Sequence, residues 1–256
     1  IAGPLGFTDF DPEGMLVEGF DRLGTMSMIY NHEYYHRHLE KLGYVKETDW
    51  VEFRINIPEI LPERFVKMAE LVQERYKLRI VKKTRRQINK ERYGQKLFRL
   101  INETYCDLYG FSLLSDKQID QYVDQYLGLI DLKMVTFIED ENGELIAAGI
   151  TMPSLADALQ KCGGNLFPIG WWYLVKNMYI KKPDTLDMLL VGIKPEYQSK
   201  GVNAMLFVDM FSNLTKLGFK YAETSAELET NIRVQQLWNS FEKEQHKRRR
   251  VYVKEL

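Results

Sequence analysis

The sequence predicts an α/β or α+β sheet domain, and three observations carry that prediction. Runs with strand-like alternation and runs with helical spacing interleave along the second two thirds of the chain. Asn142-Gly143 separates two short apolar runs, as in a hairpin. A strand over 186–193 runs through Pro195 and turns at Gly201 directly into a helical pattern.

The elements follow in order. GMLVEGF, in a Gly-rich region, reads as a short strand; residues 31–42 read as a helix closed by Gly43, and 50–55 as an alternating strand. Pro58 and Pro62 punctuate the chain before a helix over 63–76, where Phe65, Met68, Ala69 and Val72 share one face. A strand over 78–82, helical stretches over 87–109 and 115–129, and hairpin strands over 134–139 and 145–151 come next. A mostly helical insert, rich in aromatics, leads to the 186–193 strand. A helix over 201–217, a strand over 221–226, a helix over 232–243 and a last strand over 249–254 complete the order. Residues 1–57 read as a partial N-terminal unit, 58–77 as a connector and 78–256 as the main domain. Asn31 and Val51 repeat the relation of Asn231 and Val251 at an offset of 200 residues. Ile1 is not a methionine, and the chain reads as a fragment.

Composition bounds the function. The chain has 256 residues, a hydrophobic content of 45% and a net charge of −1, which suits a protein with a sizeable core and argues against a dedicated nucleic-acid binder. No run approaches the roughly 18 to 20 apolar residues that span a bilayer. Cys106 and Cys162 stand apart without a CxxC pair or a histidine cluster, so neither a disulfide framework nor a metal site is expected, and a reducing cytoplasm is the default.

The stretch VGIKPEYQSKGVNAMLF, 191–207, holds the strongest chemical signal. A helix that starts near Gly201 leaves backbone N–H groups of Gln198, Ser199, Lys200, Gly201, Val202, Asn203 and Ala204 without helical partners, and such a start binds phosphates. Gly201 allows close backbone approach, and Lys200 adds charge. Pro195 cannot donate to a strand ladder, so the strand ends or splays beside it and leaves amides for an extended, amide-bearing arm. A pyrophosphate with a peptide-like arm describes coenzyme A.

Val191, Ile193, Pro195, Gln198 and Gly201 resemble the acyl-CoA signature of the GNAT (GCN5-related) N-acetyltransferase superfamily, from which Asn203 departs at the last small position. The resemblance implies a mixed, mostly antiparallel sheet with a splayed central strand flanked by helices, and residues 1–57 as the end of a preceding GNAT-like unit in a tandem bacterial branch. It implies acetyl-CoA or another acyl-CoA as co-substrate, no metal, and transfer, expected to be of an acetyl group, to an amine of a small molecule or amino acid. A long-chain or aminoacyl donor, and a binding module without catalysis, are the alternatives.

Direct attack of an amine on a thioester needs a base. Glu223, Glu227 and Glu229 lie on or just after the 221–226 strand and are the base candidates; parity does not separate Glu223 from Glu227. Many family members place an acidic tyrosine seven residues after the position of Asn231, where this chain has Trp238, which leaves Tyr173, Tyr179 or water for the leaving thiolate. The resemblance also gives Asn231 a cofactor contact beside its capping role. The insert GGNLFPIGWWYLVKNMYI reads as core packing or a pocket wall. His36 and His38 lie on different helix faces and make a poor metal pair. The basic runs at 82–96 and 247–250 read as solvated, salt-bridged faces, with neither nucleic acid nor membrane expected as a partner.

Overall fold

Alternating apolar residues in two long segments, together with a ring of charges matched across them, organise the N- and C-terminal parts of the chain. The computed structural model describes residues 1–8 and 10–256. Its strands are β1 (Ala2–Gly3), β2 (Met15–Glu18), β3 (Val45–Asn56), β4 (Arg79–Val81), β5 (Val135–Glu139), β6 (Leu145–Pro153), β7 (Thr185–Ile193), β8 (Tyr221–Thr224), β9 (Glu227–Leu228) and β10 (Lys243–Val253). Its helices are α1 (Tyr34–Lys41), α2 (Glu63–Tyr76), α3 (Arg85–Lys90), α4 (Tyr93–Tyr105), α5 (Asp116–Tyr126), α6 (Ala156–Lys161), α7 (Gly170–Val175), α8 (Val202–Lys216) and α9 (Ile232–Leu237).

The chain divides into two compact units. The first combines Ile1–Asn56, Pro153–Asp187 and Lys220–Leu256; the second combines Ile57–Met152 and Met188–Phe219. In the first unit the strand order is β1-β10-β3-β8, with β2 also on β10 and β9 also on β3. These pairings are antiparallel. β3 is buried on both faces from Thr48 to Phe53, and the buried stretch includes the acidic Asp49 and Glu52 as well as apolar residues. Each buried charge needs a partner, and β10 supplies them. Arg250 Nε lies 2.7 Å from Asp49 Oδ1, and Arg249 Nε 2.8 Å from Glu52 Oε1.

β10 begins at Lys243, six residues before the strand read from sequence, and the helix before it ends at Leu237 followed by one 3-10 turn. KEQHKRR looks helical or irregular in isolation. It is a strand because its cations face carboxylates of β3, β8 and β2 that are distant in sequence. Each asparagine of the 200-residue offset precedes a helix and then a long strand, α1-β3 and α9-β10, but the two side chains act differently: Asn231 caps α9, whereas the Asn31 side chain bridges the N–H and carbonyl of Leu16.

In the second unit the order is β7-β6-β5-β4, and β5 pairs antiparallel with both β4 and β6. The hairpin turn between β5 and β6 has Gly143 at φ 80°, the left-handed region that glycine enters without a Cβ penalty. α2 spans the residues expected of it and buries Phe65, Ala69 and Val72, one stripe at helical spacing. That stripe meets α8, where the Phe65 and Phe207 rings cross at 5.6 Å. The helical run expected over 87–109 is broken at Arg92, which has φ 53°. Thr84 and Ser115 form capping boxes with Gln87 and Gln118 and set the starts of α3 and α5.

Candidate functional site

The donor site read from sequence lies in the second unit, where β7 gives way to α8. Ile193 is followed by a 3-10 turn, Pro195–Tyr197, and then by Gly201, which precedes α8 at φ 79°. The Tyr197, Gln198, Lys200 and Ala204 N–H groups close local bonds to Lys194, Pro195, Tyr197 and Gly201 carbonyls. The N–H groups of Ser199, Gly201, Val202 and Asn203 take no part in those turn bonds. They are the donors that the end of α8 offers to an anion. Ser199 and Gln198 are exposed, Asn203 is half-buried, and Val202 and Ala204 are core residues whose side chains face inward.

Three details refine the sequence reading. The Gln198 side chain donates to the Ile193 carbonyl at 3.1 Å, so it ties the turn to the strand. Lys200 Nζ lies over the Tyr197 and Tyr76 rings at 4.5 and 5.0 Å, a cation held by two aromatic faces. A Cβ on Gly201 would approach Val72 Cγ2 to 3.2 Å and Met68 Sδ to 3.3 Å. Glycine is therefore required by the left-handed φ and by the approach of α2. Upstream, the Tyr105 hydroxyl donates to the Val191 carbonyl at 3.1 Å, so a side chain occupies a backbone acceptor of β7.

The candidate proton-handling groups lie in the first unit. Glu223 pairs across the sheet with Arg54, and Glu227 with Val51. Four residues on one side thus match three on β3, from 54 to 51, and the extra residue between β8 and β9 sends the two carboxyls to opposite sheet faces. Their environments differ accordingly. Glu223 Oε2 accepts from Lys247 Nζ at 3.2 Å. Glu229 is bound by Lys46 at 2.7 Å and Arg248 at 3.4 Å. Glu227 is buried; its Oε1 accepts from the Trp238 indole N–H at 2.7 Å, while its Oε2 is buried without a hydrogen-bond partner. Burial pushes this carboxyl up to about 7, the Trp238 hydrogen bond opposing the shift. A base poised near neutrality has this character.

A second group, Asp187 on β7, was not singled out by the sequence. It is buried, its Oδ1 lacks a partner, and its carboxyl is raised to about 6, chiefly by burial. A Ser154 hydrogen bond and the Lys247 charge oppose the shift without cancelling it, and the surroundings explain why no cation pairs with Asp187 directly. Lys247 Nζ lies 3.4 Å from Glu52 Oε2 as well as 3.2 Å from Glu223 Oε2, and Arg249 also binds Glu52. Among these five groups, three carboxyls share two cations, and Asp187 is the one left over. Its only signal in sequence is an acid inside the apolar run LDMLL, four residues before Val191.

The basic run Lys247, Arg248, Arg249 and Arg250 is consumed by these carboxylates and those of Asp49 and Glu18. Asn231 caps α9, its Oδ1 accepting from the Val234 N–H at 3.4 Å. Among the described residues, no group of three or more His, Cys, Asp or Glu is placed to hold a metal ion, and no helix is long and apolar enough to cross a membrane.

No protein-family model matches the chain. Two solved structures share its fold. A GCN5-related glucosamine N-acetyltransferase region of a fungal multi-domain GH3 β-N-acetylglucosaminidase covers 85% of this chain and 22% of its own, at 12% identity and a TM-score of 0.52. A GCN5-related N-acetyltransferase from Sphaerobacter thermophilus covers 89% of this chain and 56% of its own, at 10% identity and a TM-score of 0.51. The fold is therefore that of the GCN5-related N-acetyltransferases, as the 191–201 signature implied. In sequence the chain is similar to protein YghO of Escherichia coli (strain K12), 25% identical over 264 aligned residues, and to the bacterial ceramide synthase of Caulobacter vibrioides (strain NA1000 / CB15N), 26% identical over 262. It spans 66% of the length of each.

Proposed function

We propose that this chain is the acyl-transfer domain of an acyl-CoA-dependent N-acyltransferase. The observation that carries the reading is Glu227, a buried carboxyl raised to about 7 with one oxygen bonded to Trp238 and the other without a hydrogen-bond partner, within a GNAT fold. The donor's pyrophosphate is assigned to the Ser199–Asn203 end of α8, outside the core. The ionised Glu227 takes a proton from the acceptor ammonium. The free amine attacks the thioester carbonyl carbon, a C–N bond forms, the C–S bond breaks, and the second proton lost by the nitrogen passes through water to the departing coenzyme A thiolate. Trp238 holds the base and donates no proton of its own to the reaction, which accounts for an indole where many family members have a phenol.

Glu223 and Glu229 are assigned no proton-transfer role in this reading because each is engaged by a cation, Lys247 and Lys46. Asp187 supports a second assignment of the same role, since it lies on the signature strand itself and is also unpaired at one oxygen. In place of the acetyl group and small amine expected from sequence, we propose a longer acyl chain and a lipid amine, a reading supported by the name ceramide synthase that one relative carries. Coenzyme A release from acetyl-CoA and palmitoyl-CoA, followed by thiol detection across amino acids, polyamines and long-chain amino alcohols, tests the reading. Amine-dependent release, faster with palmitoyl-CoA, is expected. Coenzyme A binding without amine-dependent release from either donor would replace it with a binding module.

A further inference from the structure

The segment 163–182 lies in the first unit. Its base is fixed. Asn177 Nδ2 donates to the Ser154 carbonyl at 2.6 Å. Gly170 is buried so tightly that a Cβ would lie 1.7 Å from the Asn165 carbonyl oxygen. From this base, seven large apolar side chains stand exposed within fifteen residues: Leu166, Phe167, Ile169, Trp171, Trp172, Tyr179 and Ile180. Phe167 is 81% exposed and Tyr179 75%. Single exposed apolar residues need no explanation, but a contiguous cluster marks an interaction surface.

The charges around the cluster select the partner. Lys161, Lys176, Lys181 and Lys182 are all exposed, and the stretch from Ala158 to Pro183 contains no Asp or Glu. Protein interfaces are depleted in lysine, whereas a membrane-surface element combines Trp and Tyr with lysines that reach lipid headgroups. We propose that the α6–α7 hairpin and the turn after it dock on an anionic lipid bilayer, with the aromatic residues at the level of the headgroups and the lysines against their phosphates. This departs from the sequence expectation of no membrane partner.

The test is flotation of the intact chain with vesicles of phosphatidylglycerol and phosphatidylcholine, beside vesicles of phosphatidylcholine alone. Trp50 and Trp238 are buried, so a blue shift of tryptophan emission on binding reports Trp171 and Trp172. The chain is expected to float with the anionic vesicles, to shift its emission, and to dissociate as salt rises to about 0.5 M. The exposed Phe167→Ser/Trp172→Ser pair and, separately, Lys176→Glu/Lys181→Glu/Lys182→Glu should each weaken partition by roughly tenfold or more while circular dichroism stays unchanged. No flotation, equal binding to neutral vesicles, or full binding by both variants overturns the proposal. So does sedimentation showing a dimer that Phe167→Ser dissociates, because the cluster would then be covered by a second copy.

Discussion

The Trp238 indole N–H donates to Glu227 Oε1 at 2.7 Å, and both side chains are buried. A donor to the carboxylate stabilises its charged form, so this bond holds the Glu227 titration near 7 against burial that would take it higher. Trp238→Phe removes the donor and keeps an aromatic ring. The pH profile of kcat/KM is expected to shift upward, with activity near pH 7 falling and activity near pH 9 largely retained. A profile unmoved by the substitution removes Trp238 from any positioning role.

Loss of the base itself is expected to lower single-turnover rates by about 10²- to 10⁴-fold in Glu227→Gln, the usual contribution of a general base. Glu229→Gln and Glu223→Gln should act mainly through lost ion pairs. If the Asp187→Asn variant takes the large loss and Glu227→Gln stays within about twofold, less than ~0.5 kcal/mol of barrier, the base is Asp187. The acidic limb of the parent profile should then fall near 6 rather than near 7.

Stability carries an independent signature. Glu227 has its folded value raised from 4.5 to about 7, so its favourable contribution is complete below pH 4.5 and is lost as pH rises through 7. Glu227→Gln has no charge to bury. It is expected to be more stable than the parent at pH 8, by on the order of 3 kcal/mol, with the difference closing towards pH 4.5. Urea unfolding at the two pH values measures this, and a variant less stable than the parent at pH 8 contradicts the burial argument.

The peptide 1–57 is expected not to fold alone. β3 pairs with β10, β8 and β9, all of which lie beyond residue 57, so its buried charges Asp49 and Glu52 would lose Arg250, Arg249 and Lys247 together. Circular dichroism of the peptide should show no cooperative melt, and a sharp melt would establish an autonomous unit.

The parts of the fold that local chemistry dictates were legible in the sequence. The 63–76 helix, the Asn142-Gly143 hairpin and the corner at Gly201 depend on spacing, a glycine or a proline, each readable within a few residues. β10 was legible only in its last residues, because its charged first half becomes a strand through carboxylates about two hundred positions away. Glu223 and Glu227 were not separable because a bulge of one residue, invisible in the sequence, decides their faces. Asp187 stayed hidden for a similar reason. Its lack of a cation partner is a property of five groups drawn from four strands.

The most direct measurement is calorimetric titration of coenzyme A into the parent chain and into Ser199→Glu. Gly201→Asp would confound the experiment, since its φ and the contact with Met68 and Val72 predict a folding defect. Ser199 is exposed, and a carboxylate near a helix N-terminus is favourable for the helix. The account predicts that the parent binds coenzyme A and that Ser199→Glu, melting no lower than the parent, loses at least about tenfold in affinity through repulsion of the pyrophosphate. Equal affinity in the two proteins, or no binding by the parent, would contradict it.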